Sequence, residues 1–166
     1  MKVNLLNFYC KIYQILSNCE VFCRMETFRD ILSDYLVDNE MSIRTFSKKC
    51  GVSLTNCSTY LKGVVPNIKN AERLAIFFNC SLDYLFGLSN TKKMKEYKNI
   101  NMSLFLPRYD ELLLKNGISN RKFLLQNGMS DSSRKKWVKG DIPKITTLIT
   151  IAYELGSSID YLTGRI

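Results

Sequence analysis

From residue 28 the apolar positions recur at three and four, at Phe28, Ile31, Leu32, Tyr35 and Leu36, while Asp30, Asp34 and Asp38 fall on the other side. That spacing predicts an amphipathic helix with Thr27 as its N-cap. Ser42 opens a second, short helix that Gly51 closes, and Ser53 opens a third that stops at Gly63. Pro66 separates it from a fourth, Asn67 to Asn79, with Ile68, Ala71, Leu74, Ala75 and Phe78 inward. Ser81 caps a fifth, whose first turn holds Asp83 near the positive end of the helix dipole. Leu82 and Leu85 point inward there, and Gly87 ends it.

The pattern then returns. A shift of 77 positions superimposes the two halves without a gap: Phe28 on Phe105, Ser42 on Ser119, Arg44 on Arg121, Phe46 on Phe123, Gly51 on Gly128, Ser53 on Ser130. Lys62, Gly63 and Pro66 fall on Lys139, Gly140 and Pro143, and CSLDYLFGLS at 80–89 is echoed by SSIDYLTGRI at 157–166. Such self-similarity is the mark of a tandem duplication. Each copy spans about sixty residues, near the lower limit for a domain that folds without metal or disulfides. The expected fold class is all-α, two tandem five-helix domains at 26–89 and 103–166. Between them lies a basic linker, 90–102, NTKKMKEYKNINM. Residues 1–25 form an N-terminal extension, read either as an extra amphipathic helix with Leu5, Phe8, Tyr9, Ile12, Ile15 and Leu16 on one face or as a mis-assigned start ahead of METFRDIL.

Composition removes several classes. With 46% apolar residues, 3 Pro and 8 Gly in 166, the chain is globular rather than disordered. No apolar run approaches a membrane span and no signal-peptide core precedes the first domain, so a cytoplasmic location without membrane association is expected. Six cysteines, at 10, 19, 23, 50, 57 and 80, all lie in the first half, which fits free thiols better than a disulfide framework. Cys10, Cys19 and Cys23 have neither a His nor a second closely spaced Cys pair to complete a metal site. The chain contains no His at all, and it lacks a phosphate loop or nucleophile elbow, so neither an enzyme nor a cofactor is expected.

Charge points toward a polyanion. The net charge of +9 is uneven: 26–89 is neutral, 90–102 carries +3 and 103–166 carries +4.

The second and third helices of each copy, joined around Gly51 and Gly128, have the lengths and tight turn of a helix-turn-helix. The stretches MSIRTFSKKCGVSLTNCSTYLKGVVP and ISNRKFLLQNGMSDSSRKKWVKGDIP, each followed by S-x-D-Y-L-x-G, resemble the Cro/phage-repressor (XRE) type of helix-turn-helix domain, the lambda-repressor-like fold. The resemblance covers 28–89 and 105–166. It implies double-stranded DNA as partner, with the third helix in the major groove. It also implies a sequence-specific transcriptional regulator of bacterial or mobile-element origin, a repressor that occupies an operator; no effector or ligand domain is recognisable, so a small-molecule ligand is not indicated.

Base readers carry over to Leu54, Thr55 and Thr59, with Asn56 beside them, and to Asp131, Ser132 and Lys136, with Ser133 beside them. Phosphate contacts carry over to Ser53 and Lys62 and to Asn120, Ser130 and Lys139. Short polar side chains at a helix N-terminus reach base edges, and backbone amides face phosphates. Two departures from the family pattern stand out. Ile43 replaces the usual Gln and cannot bond a phosphate, and Arg134 occupies a site the family fills with an aliphatic side chain. A charge held there is expected to weaken the core, so that Arg134→Ile raises the melting temperature. Tyr60 and Trp137 are expected to pack in the core against the fourth helix.

The rival reading is a protein-interaction or dimerisation module, antirepressor-like, in which one or both copies no longer bind DNA; neutral copy one is its better candidate. Relatives read half-sites as dimers, so either a homodimer or one duplicated chain meets the geometric need. The thirteen-residue linker spans roughly 43 Å when extended but about 20 Å as a helix. The shorter form requires the domains to sit closer or to pack against each other through their fifth helices.

Overall fold

A computed structural model describes residues 27–92 and 98–166. The extension with its predicted apolar face, together with Cys10, Cys19 and Cys23, lies outside the described residues, as does the middle of the linker. Every regular element described is helical. The first group comprises α1 (residues 27–38), α2 (Ile43–Cys50), α3 (Leu54–Tyr60), α4 (Ile68–Phe78) and α5 (Leu82–Leu85). A 3-10 turn, Met102–Leu104, leads into the second: α6 (Phe105–Lys115), α7 (Asn120–Gln126), α8 (Ser132–Val138), α9 (Ile145–Glu154) and α10 (Ile159–Leu162).

The caps explain where these helices begin. Ser42 Oγ accepts from Thr45 N at 3.2 Å, Asn67 Oδ1 from Asn70 N at 2.9 Å and Ser81 Oγ from Tyr84 N at 3.0 Å. In the second group Ser119 and Ser158 do the same for Lys122 N and Tyr161 N. Each such cap satisfies an amide that the helix cannot, worth about 1 kcal/mol. Thr27, expected as the cap of α1, is itself helical and is the first residue described. Its side chain stands where a Cβ on Gly87 would come within 3.1 Å of Thr27 Oγ1. Gly164 is likewise crowded, by Asn101 O at 3.0 Å, and both glycines have positive φ. These residues therefore end a helix and also let another segment approach closely.

The buried apolar residues of both groups form one continuous cluster. In the first group Phe46 packs edge-on to Tyr35 and Phe77 at 6.1 and 5.1 Å between ring centres. In the second, Trp137 meets Phe105 and Tyr109 edge-on at 5.3 and 5.5 Å. Trp137 and Tyr60 are indeed core residues, but their ring partners are on the first helix of each group, since Tyr60 abuts Phe28 at 5.7 Å. From α4, Asn70 Nδ2 donates to the Tyr60 hydroxyl at 2.9 Å. Burying each such aromatic stabilises the fold by about 1.5–3 kcal/mol.

The two groups meet where α5 packs on α10. Asp83 Oδ1 accepts from Ile159 N at 2.8 Å and Asp83 Oδ2 from Asp160 N at 3.3 Å. In return Asp160 Oδ2 accepts from Asp83 N at 3.1 Å. Each short helix thus has first-turn amides satisfied by a carboxylate of the other. Arg165, fully buried, donates to Asp160 Oδ1 at 2.7 Å. The ends of the linker run along this seam: Ser81 N donates to Lys92 O, Lys98 N to Arg165 O, Asn101 N to Thr163 O, and Ile100 N to Glu72 Oε1 of α4 at 2.6 Å. The two groups are thus in contact through their fifth helices.

Candidate nucleic-acid interface

The turn between α2 and α3 is held from three sides. Gly51, at φ 68°, takes the left-handed conformation that reverses the chain, and its N–H donates to Ser47 O at 3.1 Å. Ser47 Oγ donates to Val52 O at 2.7 Å, and Arg73 Nη1 reaches from α4 to Gly51 O at 2.9 Å. Val52 and Cys57, both buried, anchor the inner side of α3. Its other side presents Ser53, Leu54, Thr55 and Asn56 to solvent, with Thr59 half-exposed and Lys62 exposed beyond the helix. Ser53 Oγ accepts from Asn56 N at 3.3 Å and keeps its own hydrogen to donate. Thr59 Oγ1 donates to Asn56 O at 2.7 Å and keeps its lone pairs to accept. Leu54, at 36% exposure, offers an apolar contact of the kind a thymine methyl takes.

The corresponding surface of the second group differs in detail. Asn120 Oδ1 accepts from the Tyr109 hydroxyl at 3.0 Å, which leaves the amide donors of Asn120 without a partner among the described residues. Ser130 Oγ pairs with Ser132 Oγ at 2.8 Å and accepts from Ser132 N at 3.2 Å. As a result α8 begins at Ser132, one residue later than a 77-residue shift of α3 requires, and Asp131 precedes it in αR conformation without capping it. Asp131, Ser132, Lys135, Lys136 and Lys139 are exposed and Ser133 is half-exposed. The sequence-predicted residues thus fall on two surfaces, one on each group.

Arg121 also belongs to this surface, although the family pattern assigns it no role. Its Nε lies 3.9 Å from Asp131 Oδ2, with both side chains strongly exposed, so a cation offsets the one carboxylate at the start of α8. The signal was present in the alignment of Arg44 with Arg121. The expectation for Arg134 is corrected: it is half-exposed rather than buried without a partner, and its guanidinium forks onto Asp110 of α6. The carboxylate supplies what an aliphatic neighbour lacks.

Between the segments that follow α3 and α8 lies a cavity of about 540 Å³, walled by Val65, Pro66 and Ile68 on one side and Ile142, Pro143 and Ile145 on the other. Lys69 and Lys144 are its charged members. No described helix is long and apolar enough to cross a membrane, and no group of His, Cys, Asp and Glu among the described residues could hold a metal.

Compared with curated proteins and with solved structures, the chain has no significant match. A helix-turn-helix family model does match, over residues 32–85, from within α1 to the end of α5, so that the α2–turn–α3 unit and the helices that hold it are similar to a helix-turn-helix domain of the XRE type.

Proposed function

We propose that the chain is a sequence-specific DNA-binding transcriptional regulator that acts as one molecule with two tandem helix-turn-helix units, repressing by occupying an operator. The observation that carries the reading is the polar, solvent-facing N-terminal half of α3, set on a buttressed turn inside the residues that match the helix-turn-helix family. The second unit is supported by the 77-residue correspondence, by the matching order of helices and by an exposed basic run, Lys135, Lys136 and Lys139, on and after α8. Hydroxyls and amides at the start of α3 and α8 serve base edges, while Ser53, Lys62, Asn120, Ser130 and Lys139 serve phosphates.

A second reading is favoured by one observation for the first unit alone. Ile43, at the start of α2, packs partly against the core instead of offering a donor, whereas Asn120 does offer one. On that reading α1–α5 serve dimerisation and only α6–α10 touch DNA.

A salt titration of the full chain on mixed-sequence duplex tests the proposal. Affinity should fall steeply, with a log–log slope near minus one per phosphate contact. Binding that is absent or indifferent to salt would exclude it. Selection from random duplexes then separates the two readings, since two different reading helices select an asymmetric site bound by one chain, and a dimer reading through α8 alone selects a palindrome.

A further inference from the structure

We propose that Asp83 and Asp160 are positioning residues that fix the separation and twist of α3 relative to α8, so that the chain accepts two DNA half-sites at a single spacing. This rests on the two-unit DNA reading above and adds what sets its ruler. A chain of two domains on a free linker behaves differently, because its effective concentration falls only slowly with distance and inserted base pairs cost it little.

The geometry argues for a rigid joint. Three hydrogen bonds of 2.8–3.3 Å run between α5 and α10, all to backbone amides, which have no rotamers to change. Asp83 and Asp160 are 8% and 1% exposed, so water cannot replace these bonds when the helices shift. Around them Leu82, Leu85, Phe86, Ile159 and Leu162 are fully buried, and Arg165 ties the Asp160 carboxylate from behind. Sliding one group past the other would strip the Asp83 carboxylate and the amides of Asp83, Ile159 and Asp160 of their partners in an apolar setting, leaving Asp160 with Arg165 alone. The described ends of the linker follow the same seam, with Lys92, Lys98, Ile100 and Asn101 hydrogen-bonded along it. The facing segments Val65–Lys69 and Ile142–Thr146 share one cavity, which places the stretches just after the two reading helices opposite each other.

One base pair inserted at the centre of a site displaces a half-site by about 3.4 Å and turns it by about 34°. The test starts from the best duplex recovered by selection and measures the affinity of the full wild-type chain, by fluorescence anisotropy, for versions with one or two central base pairs added or removed. The expected loss is tenfold or more at each change. Asp83→Asn, which keeps one acceptor and loses the other, should bind the best duplex less tightly but compress the penalty for altered spacing several-fold. A merely structural role would lower both affinities in proportion. Amide exchange gives a DNA-free arm: the N–H groups of Asp83, Ile159 and Asp160 should be protected as well as those of core α4, and exchange at loop rates would overturn the proposal. Wild-type binding that tolerates every spacing would overturn this inference and leave the DNA reading intact. Failure to bind any duplex would overturn both.

Discussion

Arg134 on α8 and Asp110 on α6 form a two-pronged ion pair, Nη1 to Oδ1 at 2.9 Å and Nη2 to Oδ2 at 3.0 Å. Their counterparts 77 residues earlier are Cys57 and Ser33, so both members of the pair belong to the second group alone. The side chains are 34% and 46% exposed, which limits the pair to about 0.5–1 kcal/mol despite its good geometry. Arg134→Ile should therefore lower the melting temperature, followed by the fluorescence of Trp137, and Asp110→Ala should do so comparably. A higher melting temperature for Arg134→Ile would show that apolar contact outweighs the pair.

Burial, the shared hydrogen bond with Asp160 and the nearness of that second carboxylate push Asp83 from an ordinary 3.8 up to about 7. Asp83 faces Asp160 and Arg165 across the seam, and Cys80 with Lys92 lies near the same groups. A carboxyl raised in the folded state favours folding at pH below its unfolded value, and that contribution is lost as pH rises through the folded value. Stability from this source should thus decline between about pH 4 and pH 7 and then level off. Thermal melts at pH 5 and pH 8 measure it: the drop between them should be smaller in Asp83→Asn than in wild type, and equal drops would locate the titration elsewhere.

Lys136 and Lys139 are exposed beside the surface that begins α8, and Lys62 stands alone at the equivalent place after α3. Replacing Lys139 or Lys136 by Ala should each reduce the log–log salt slope by about one if they neutralise phosphates. Equal slopes in wild type and both variants would remove the second group from the interface. Arg121→Ala should steepen the repulsion from Asp131 and weaken binding to all sequences alike.

Burial pushes the thiols of Cys57 and Cys80 up to about 12. Because the thiolate is the reactive form, neither should be alkylated by iodoacetamide in the folded chain at pH 8, and both should react once denaturant is added. Peptide mapping identifies the modified sites, and rapid labelling of Cys57 in the native chain would show that α3 opens.

The helix ends were readable because their causes are local: a Ser or Asn side chain reaches an amide three residues on, and a glycine permits the left-handed turn. Tyr60 and Trp137 were placed in the core for the same reason, through spacing, although spacing does not say which helix supplies the facing ring. The Arg134 pair is not legible in the sequence because its partner, Asp110, lies 24 residues away on another helix, and no periodic pattern links the two. The late start of α8 follows from Ser132 bonding Ser130, a competition between adjacent hydroxyls that the repeat alignment conceals. The S-x-D-Y-L-x-G phrase was recognisable as a capped helix, and Asp83 as a charge suited to its own helix dipole. That its carboxylate serves the amides of a different helix, 76 and 77 positions away, is a tertiary fact.

The exchange of carboxylates between α5 and α10 also means that neither five-helix group is chemically finished without the other. Severed in the linker, the amino-terminal piece would carry an acid with no amides to receive and the carboxy-terminal piece a guanidinium beside an incomplete acid pair. Two such polypeptides, mixed in solution, have reason to recombine, and the chain is in this sense a complex that the linker keeps at fixed stoichiometry.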